Sequence, residues 1–185
     1  ISATAALTFA IPTLANAALA GMVPWKKVAA LPFELACFPN AVYRFLRLPV
    51  VSYAIPALVA IGQARFFYRR PRNPLTWLVR KLTVNKSLRV LQRIQPTSGG
   101  YLEAIPLTSF VAMSLAATGR AHHPVTTQGV KFLMSTVCDD GSWPIDSDLA
   151  TWNTSLAIKA LDQNEADVAT LDATTWLLSC QHTER

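Results

Sequence analysis

Acidic side chains are almost missing from the first half of this 185-residue chain. Glu34 is the single carboxylate among residues 1–102, against 13 lysines and arginines, and residues 41–96 hold 11 basic side chains with no acid. Charged residues are scarce overall, 15% against the ~25% usual in soluble domains, while 51% are hydrophobic. That balance excludes intrinsic disorder and points to heavy burial, a membrane, or a piece of something larger. Cysteine is also sparse: Cys37, Cys138 and Cys180 are odd in number, far apart and without metal-ligand spacing. They argue against a disulfide framework or zinc site and fit a reducing compartment. His122, His123 and His182 do not cluster with cysteines or acids, so neither a metal nor a cofactor is implied. There is no Gly-rich phosphate loop and no Ser/His/Asp or Cys/His arrangement. Strand signals are weak throughout.

Charge divides the chain. Residues 103–185 carry four basic side chains against ten acids, so halves of +12 and −6 give the net +6. Arg65, Arg69, Arg70 and Arg72 cluster around Pro71 and Pro74. A basic stretch could grip nucleic acid. However, the almost uncharged run 48–64 leads directly into the cluster, and that order suits an anionic membrane surface, at about 1 kcal/mol per basic residue. The plain alternative is a solvated face complementing the acidic half. Nucleic acid is not an expected partner.

Residues 1–25 carry no charge, and Ala15-Asn16-Ala17 superficially resembles a signal-peptidase site. No basic segment precedes it, and Pro12 interrupts the run. Length alone permits membrane spans at 1–23 and 48–64. Ser2, Thr4, Thr8, Thr13 and Asn16 dilute the first, which favours a buried helix pair. Residues 1–84 thus read as a helical apolar and basic segment with a potential membrane-facing surface.

Residues 85–185 read as helical hairpin repeats. Gln95-Pro-Thr-Ser-Gly99-Gly100-Tyr101 superposes on Val137-Cys-Asp-Asp-Gly141-Ser142-Trp143 at a shift of 42, and the same shift brings Phe110 onto Trp152. A third copy starts near Thr174 and reaches Gln181, its Gly-x-aromatic falling beyond Arg185. Each unit predicts two helices. The first runs about 105–118, with Gly119 as a stop and Pro124 opening the next. There Val130, Leu133, Met134 and Val137 form one apolar stripe. The second unit predicts helices at about 149–162 and 166–181, the latter with Ala173, Trp176, Leu177 and Cys180 at the same spacing. Upstream, Asn85 is positioned to cap a helix ending at Gln95. The fold expected is all-α, built of stacked hairpins. Gln95, Gly99, Tyr101, Gly141 and Trp143 read as structural staples, the glycine turning the chain and the aromatic packing over the neighbouring turn. A Gln in the first slot can hydrogen-bond groups at the next helix end.

These repeats resemble the Gln–Trp repeats of triterpene cyclases, the squalene–hopene cyclase group, although Val137 replaces Gln and Tyr101 replaces Trp. Ala20-Gly-Met-Val-Pro24-Trp25 through Leu31-Pro32-Phe33-Glu34-Leu35 to Phe38-Pro39 is similar to a Pro-Trp segment of that family. Trp152-Asn153-Thr154 resembles its Trp-Asp-Thr tripeptide, with Asn153 in place of Asp. Together the matches span about Gly21 to Gln181, and protein prenyltransferases use related hairpins. The resemblance implies an incomplete α/α toroid and proton-initiated polyene cyclisation of a polyprenoid such as squalene, an isomerase step of hopanoid-type terpenoid metabolism. It also implies peripheral, monotopic membrane association on the cytoplasmic side, and it allows a homodimer of the full-length protein. Class II cyclisation needs a carboxylic acid poised to protonate an alkene, and a dry aromatic cavity for the cation. Trp152, Asn153, Thr154 and Phe110 are the implied substrate-binding or cavity-support residues. The family's acid is an Asp-x-Asp-Asp motif that follows the next repeat. Asp146-Ser147-Asp148 lacks the last Asp and precedes the Trp152 tripeptide, so the acid is expected C-terminal to Arg185. Asp146 and Asp148 are then helix-start carboxylates, and only a fallback for the acid. The alternative is a non-catalytic helical scaffold that binds a lipid or partner, for which Asn153 and Val137 are the reasons.

Overall fold

The computed structural model describes residues 3–38, 43, 54–162 and 171–180, which are helical and contain no strand. Seven α-helices follow in order: α1 (Ala3–Leu19), α2 (Ile55–Tyr68), α3 (Pro74–Ile94), α4 (Ile105–Leu115), α5 (Pro124–Ser135), α6 (Ala150–Asp162) and α7 (Asp172–Ser179). Short 3-10 turns lie at Phe33–Cys37 and Tyr101–Glu103. Pro56, Pro74, Pro106 and Pro124 stand in the first turns of α2 to α5, where a missing N–H costs nothing and a fixed φ helps. Asn73 and His123 cap α3 and α5, accepting from the amides of Leu75 (2.9 Å) and Val125 (3.3 Å).

The chain divides into two compact units, residues 1–145 and 146–185. In the first, α2 packs on α4 and α3 touches α5, so the hairpin α2–α3 lies against the hairpin α4–α5. Phe33, Val59, Leu88, Leu91, Tyr101, Val111, Leu115 and Val125 form the main core, and full burial of each leucine contributes about 1.5–3 kcal/mol. Ala15, Ala18, Val28 and Ile61 form a smaller cluster where α1 meets α2. Gln63 crosses the apolar interior, its Nε2 donating to Ser87 Oγ (2.8 Å) and to the Val84 carbonyl (3.1 Å). In the second unit α6 and α7 pair, and neither helix has a fully buried residue.

Several sequence expectations change. Asn85 lies mid-helix, because Pro74 and the Asn73 cap start α3 about three turns earlier, and the expected boundary at 84/85 falls inside that helix. The uncharged N-terminal run forms one helix containing Pro12, not a pair. The helix from Ile105 is regular only to Leu115, and a π turn over Ala116–Arg120 with Gly119 at φ +78° ends it. On α5 the stripe through Val130 and Met134 is exposed, whereas Val125, Thr126, Gly129 and Phe132 are buried. Gly129 contributes to this: having no side chain, it lets α5 approach Thr108 and Ala112 of α4 closely, so the face that carries Gly129 is buried in place of the apolar stripe. Among the described residues no helix is long and apolar enough to cross a membrane. The run 48–64 is described only from residue 54, where it enters α2.

Candidate functional site

The two Gly-x-aromatic corners share one geometry. Gly99 N donates to the Pro96 carbonyl (3.0 Å), and Gly141 N to that of Cys138 (2.9 Å). Gly100 N donates to Ser98 Oγ (3.3 Å), and Ser142 N to Asp140 Oδ1 (2.9 Å). The hydroxyl and amide of Ser142 hold the Asp140 carboxyl below its ordinary pKa. Tyr101 Oη donates to the Leu91 carbonyl (3.0 Å), and Trp143 Nε1 to that of Leu133 (2.7 Å). Each bond maps onto its counterpart at the 42-residue shift.

The first corner is the tighter. Tyr101 is 2% exposed, which pushes its phenol pKa up, and its amide donates to Thr108 Oγ1 (2.9 Å). Gly99 sits at φ +92°, and a Cβ there would stand 2.4 Å from the Gln128 carbonyl oxygen. Gln95 Nε2 donates to the carbonyls of Gly99 (2.9 Å) and of Val125 in the first turn of α5 (3.1 Å), joining the corner to the next helix. Val137 occupies the corresponding place in the second corner and has no such donor. Trp143 is half exposed there, and Gly141, at φ +81°, has open space around it. The Ile145 carbonyl accepts from Ile105 N (3.1 Å), which ties the second corner back to the start of α4. Gln181 lies outside the described residues.

Phe110 is half-buried on α4 in the first unit. Trp152, Asn153 and Thr154 belong to the second unit, inside the first two turns of α6. Trp152 is 67% exposed, and with Thr151, Ser155 and Leu156 it borders an open concavity of about 400 Å³. Asn153 and Thr154 do not line it. Asp146 Oδ1 accepts from Asp148 N (3.0 Å), closing a turn ahead of α6, so this carboxylate bonds a pre-helical amide rather than a first-turn one. No group of three metal-ligating side chains occurs among the described residues.

A second concavity, of about 320 Å³, lies wholly within the first unit. Arg65 and Arg69 at the end of α2, Arg70 and Arg72 in the connection, and Arg80 on α3 surround it, with Ala30 and Pro71 completing the wall. Arg65 Nε donates to the Val28 carbonyl (3.0 Å) and its Nη1 to that of Arg69 (3.0 Å). Arg80 is buried: it meets Glu34 at 3.2 Å, donates to the Leu31 carbonyl (3.4 Å), and lies 5.6 Å from the centre of the Phe33 ring. The segment containing Pro24-Trp25 thus supports this basin, and Trp25 stacks on Tyr68 with ring centres 4.8 Å apart. Sequence reading found the cluster 65–72. It missed Arg80, whose helical setting brings it back beside a cluster eight residues or more earlier in the chain.

Comparisons with protein-family models, curated proteins and solved structures returned no match.

Proposed function

We propose that this chain is a segment of a class II triterpene cyclase of the squalene–hopene type, its stacked hairpins forming part of an α/α toroid around a polyprenoid. The single observation that supports it best is the paired corner: turn bond, cap and aromatic-to-carbonyl bond recur at a shift of 42. A corner that repeats bond for bond lets successive helical hairpins stack on one another in a constant register, which the toroid reading needs. Phe110, Trp152, Asn153 and Thr154 are the proposed cavity and cavity-support residues. The proton donor is proposed to lie in sequence beyond residue 185, and Asp146 and Asp148, joined in one turn by the Asp148 amide and the Asp146 carboxylate, are the fallback.

Peripheral membrane association belongs to the same reading. Leu75, Leu78 and Leu82 lie along one exposed face of α3, just after Arg69, Arg70 and Arg72. Leucines that can enter the lipid boundary beside arginines that attract its anionic surface suit a bilayer better than bulk water.

Expression of the gene encoding this segment, with squalene supplied in micelles, tests the reading. Polycyclic product by gas chromatography–mass spectrometry is expected. Squalene retained but unconverted would instead favour the non-catalytic lipid-binding scaffold, a reading that rests on Asn153 and on Val137 in the Gln position.

A further inference from the structure

We propose that the arginine basin of the first unit is a binding site for a phosphate group, carried either by a soluble ligand or by a lipid headgroup. The inference does not depend on the cyclisation reading.

Five guanidinium groups from three stretches of chain converge on one concavity of about 320 Å³, the lower end of the ~300–1,000 Å³ range of small-ligand sites. Their convergence is built. Arg65 is held by the Val28 and Arg69 carbonyls, and Arg80 by Glu34, the Leu31 carbonyl and the Phe33 ring, while Arg69, Arg70 and Arg72 stand exposed at the rim. No carboxylate is among the residues that line the basin. Glu34 is the one carboxylate in residues 1–102 and is committed to Arg80. The C-terminal end of α2 presents about half a negative charge. Together they balance fewer than two of the five cations. Burial, and then the Arg69 and Arg80 guanidiniums, pull the Arg65 pKa down, so the fold holds like charges together against their repulsion. A multiply charged oxyanion relieves that repulsion, and planar guanidinium forks match phosphate oxygens two at a time.

The test titrates the full chain with inorganic phosphate and with diphosphate at low ionic strength. It also measures co-sedimentation with phosphatidylcholine vesicles with and without phosphatidic acid. Two double variants are compared, each removing two exposed cations from the same unit: Arg69→Ala with Arg72→Ala in the basin, and Lys86→Ala with Arg93→Ala outside it. The expected result is a loss of tenfold or more for the basin pair and less than threefold for the control pair. Loss toward diphosphate assigns a soluble phosphate ligand, and loss confined to phosphatidic acid vesicles assigns a headgroup. Equal losses for the two pairs, or no measurable binding to any carrier, overturn the proposal. No polyprenoid or turnover enters either measurement, so neither outcome bears on cyclisation.

Discussion

Tyr101 reaches back ten residues to donate its phenol to the carbonyl of Leu91, and Trp143 places its indole N–H on Leu133 in the same way. Two different aromatic side chains thus serve the same mechanical end, since each clamps the last turns of the preceding helix (α3 or α5) over the corner that follows. The bond also explains why phenylalanine would be a poor substitute in a slot that otherwise reads as a packing aromatic.

Tyr101→Phe is expected to cost about 1 kcal/mol of unfolding free energy, the net worth of one buried hydrogen bond. The loss stays near that value because the Leu91 carbonyl keeps the Gln95 amide as a donor (3.0 Å). Trp143→Phe should cost less, since Trp143 is half exposed. Urea unfolding of the two variants checks the order, and a larger loss at Trp143 would contradict it.

The glycines of the two corners should respond unequally. Gly141→Ala faces only the cost of a left-handed backbone, about 1–2 kcal/mol. Gly99→Ala adds a collision with the Gln128 carbonyl oxygen at 2.4 Å, so several kcal/mol or failure to fold is expected. Comparing the two melting temperatures decides this, and equal shifts would mean that the first corner can relax.

His123 couples stability to pH. Burial, and secondarily Arg120, hold its imidazole below the ordinary value, and its Nδ1 must be unprotonated to accept from Val125 N. A native pKa below the unfolded one favours the neutral form. The contribution is therefore complete above about pH 6.5 and is lost as pH falls through the native value. His123→Asn preserves an N-cap acceptor without titrating. Its stability should decline less than that of the parent between pH 7 and pH 5, by up to about 1 kcal/mol, the usual worth of a cap. Parallel pH profiles in denaturant melts would count against the cap.

Membrane association is checked at α3. Leu75 and Leu82, 67% and 66% exposed, are replaced by serine without disturbing the core. Binding to vesicles rich in anionic lipid should weaken by at least tenfold, since an inserted leucine contributes about 1.5–3 kcal/mol. Unchanged co-sedimentation would move the contact elsewhere.

Much of this molecule could be read from residue order. Gly99 and Gly141 announced the corners, Pro124 the start of α5, and Gly119 the end of the preceding helix. Hydrophobic spacing misled on α5, because Gly129 lies on the buried face against Thr108 and a glycine adds nothing to an apolar stripe. The Asn85 cap failed because asparagine in a helix interior looks, in sequence, like asparagine at its start. A second repeat also went unread: Ala54-Ile55-Pro56 and Ala104-Ile105-Pro106 open α2 and α4, and Pro74 and Pro124 open α3 and α5, each pair fifty positions apart. Aligning the two Ala-Ile-Pro tripeptides would have revealed it. Candidate site residues were less legible. Phe110 and Trp152 were matched by register alone, and the exposure of Trp152 depends on packing that no short motif encodes.

Those two spacings, fifty at the helix starts and 42 at the corners, differ because α3 has 21 residues where α5 has 12. The joint is specified locally by a handful of hydrogen bonds, so the arms between joints are free to vary. Roughly two and a half extra turns, ~13.5 Å of helix at 1.5 Å per residue, were accommodated without recutting either corner. In such an architecture arm length is a design variable, and here the longer arm carries the leucine face.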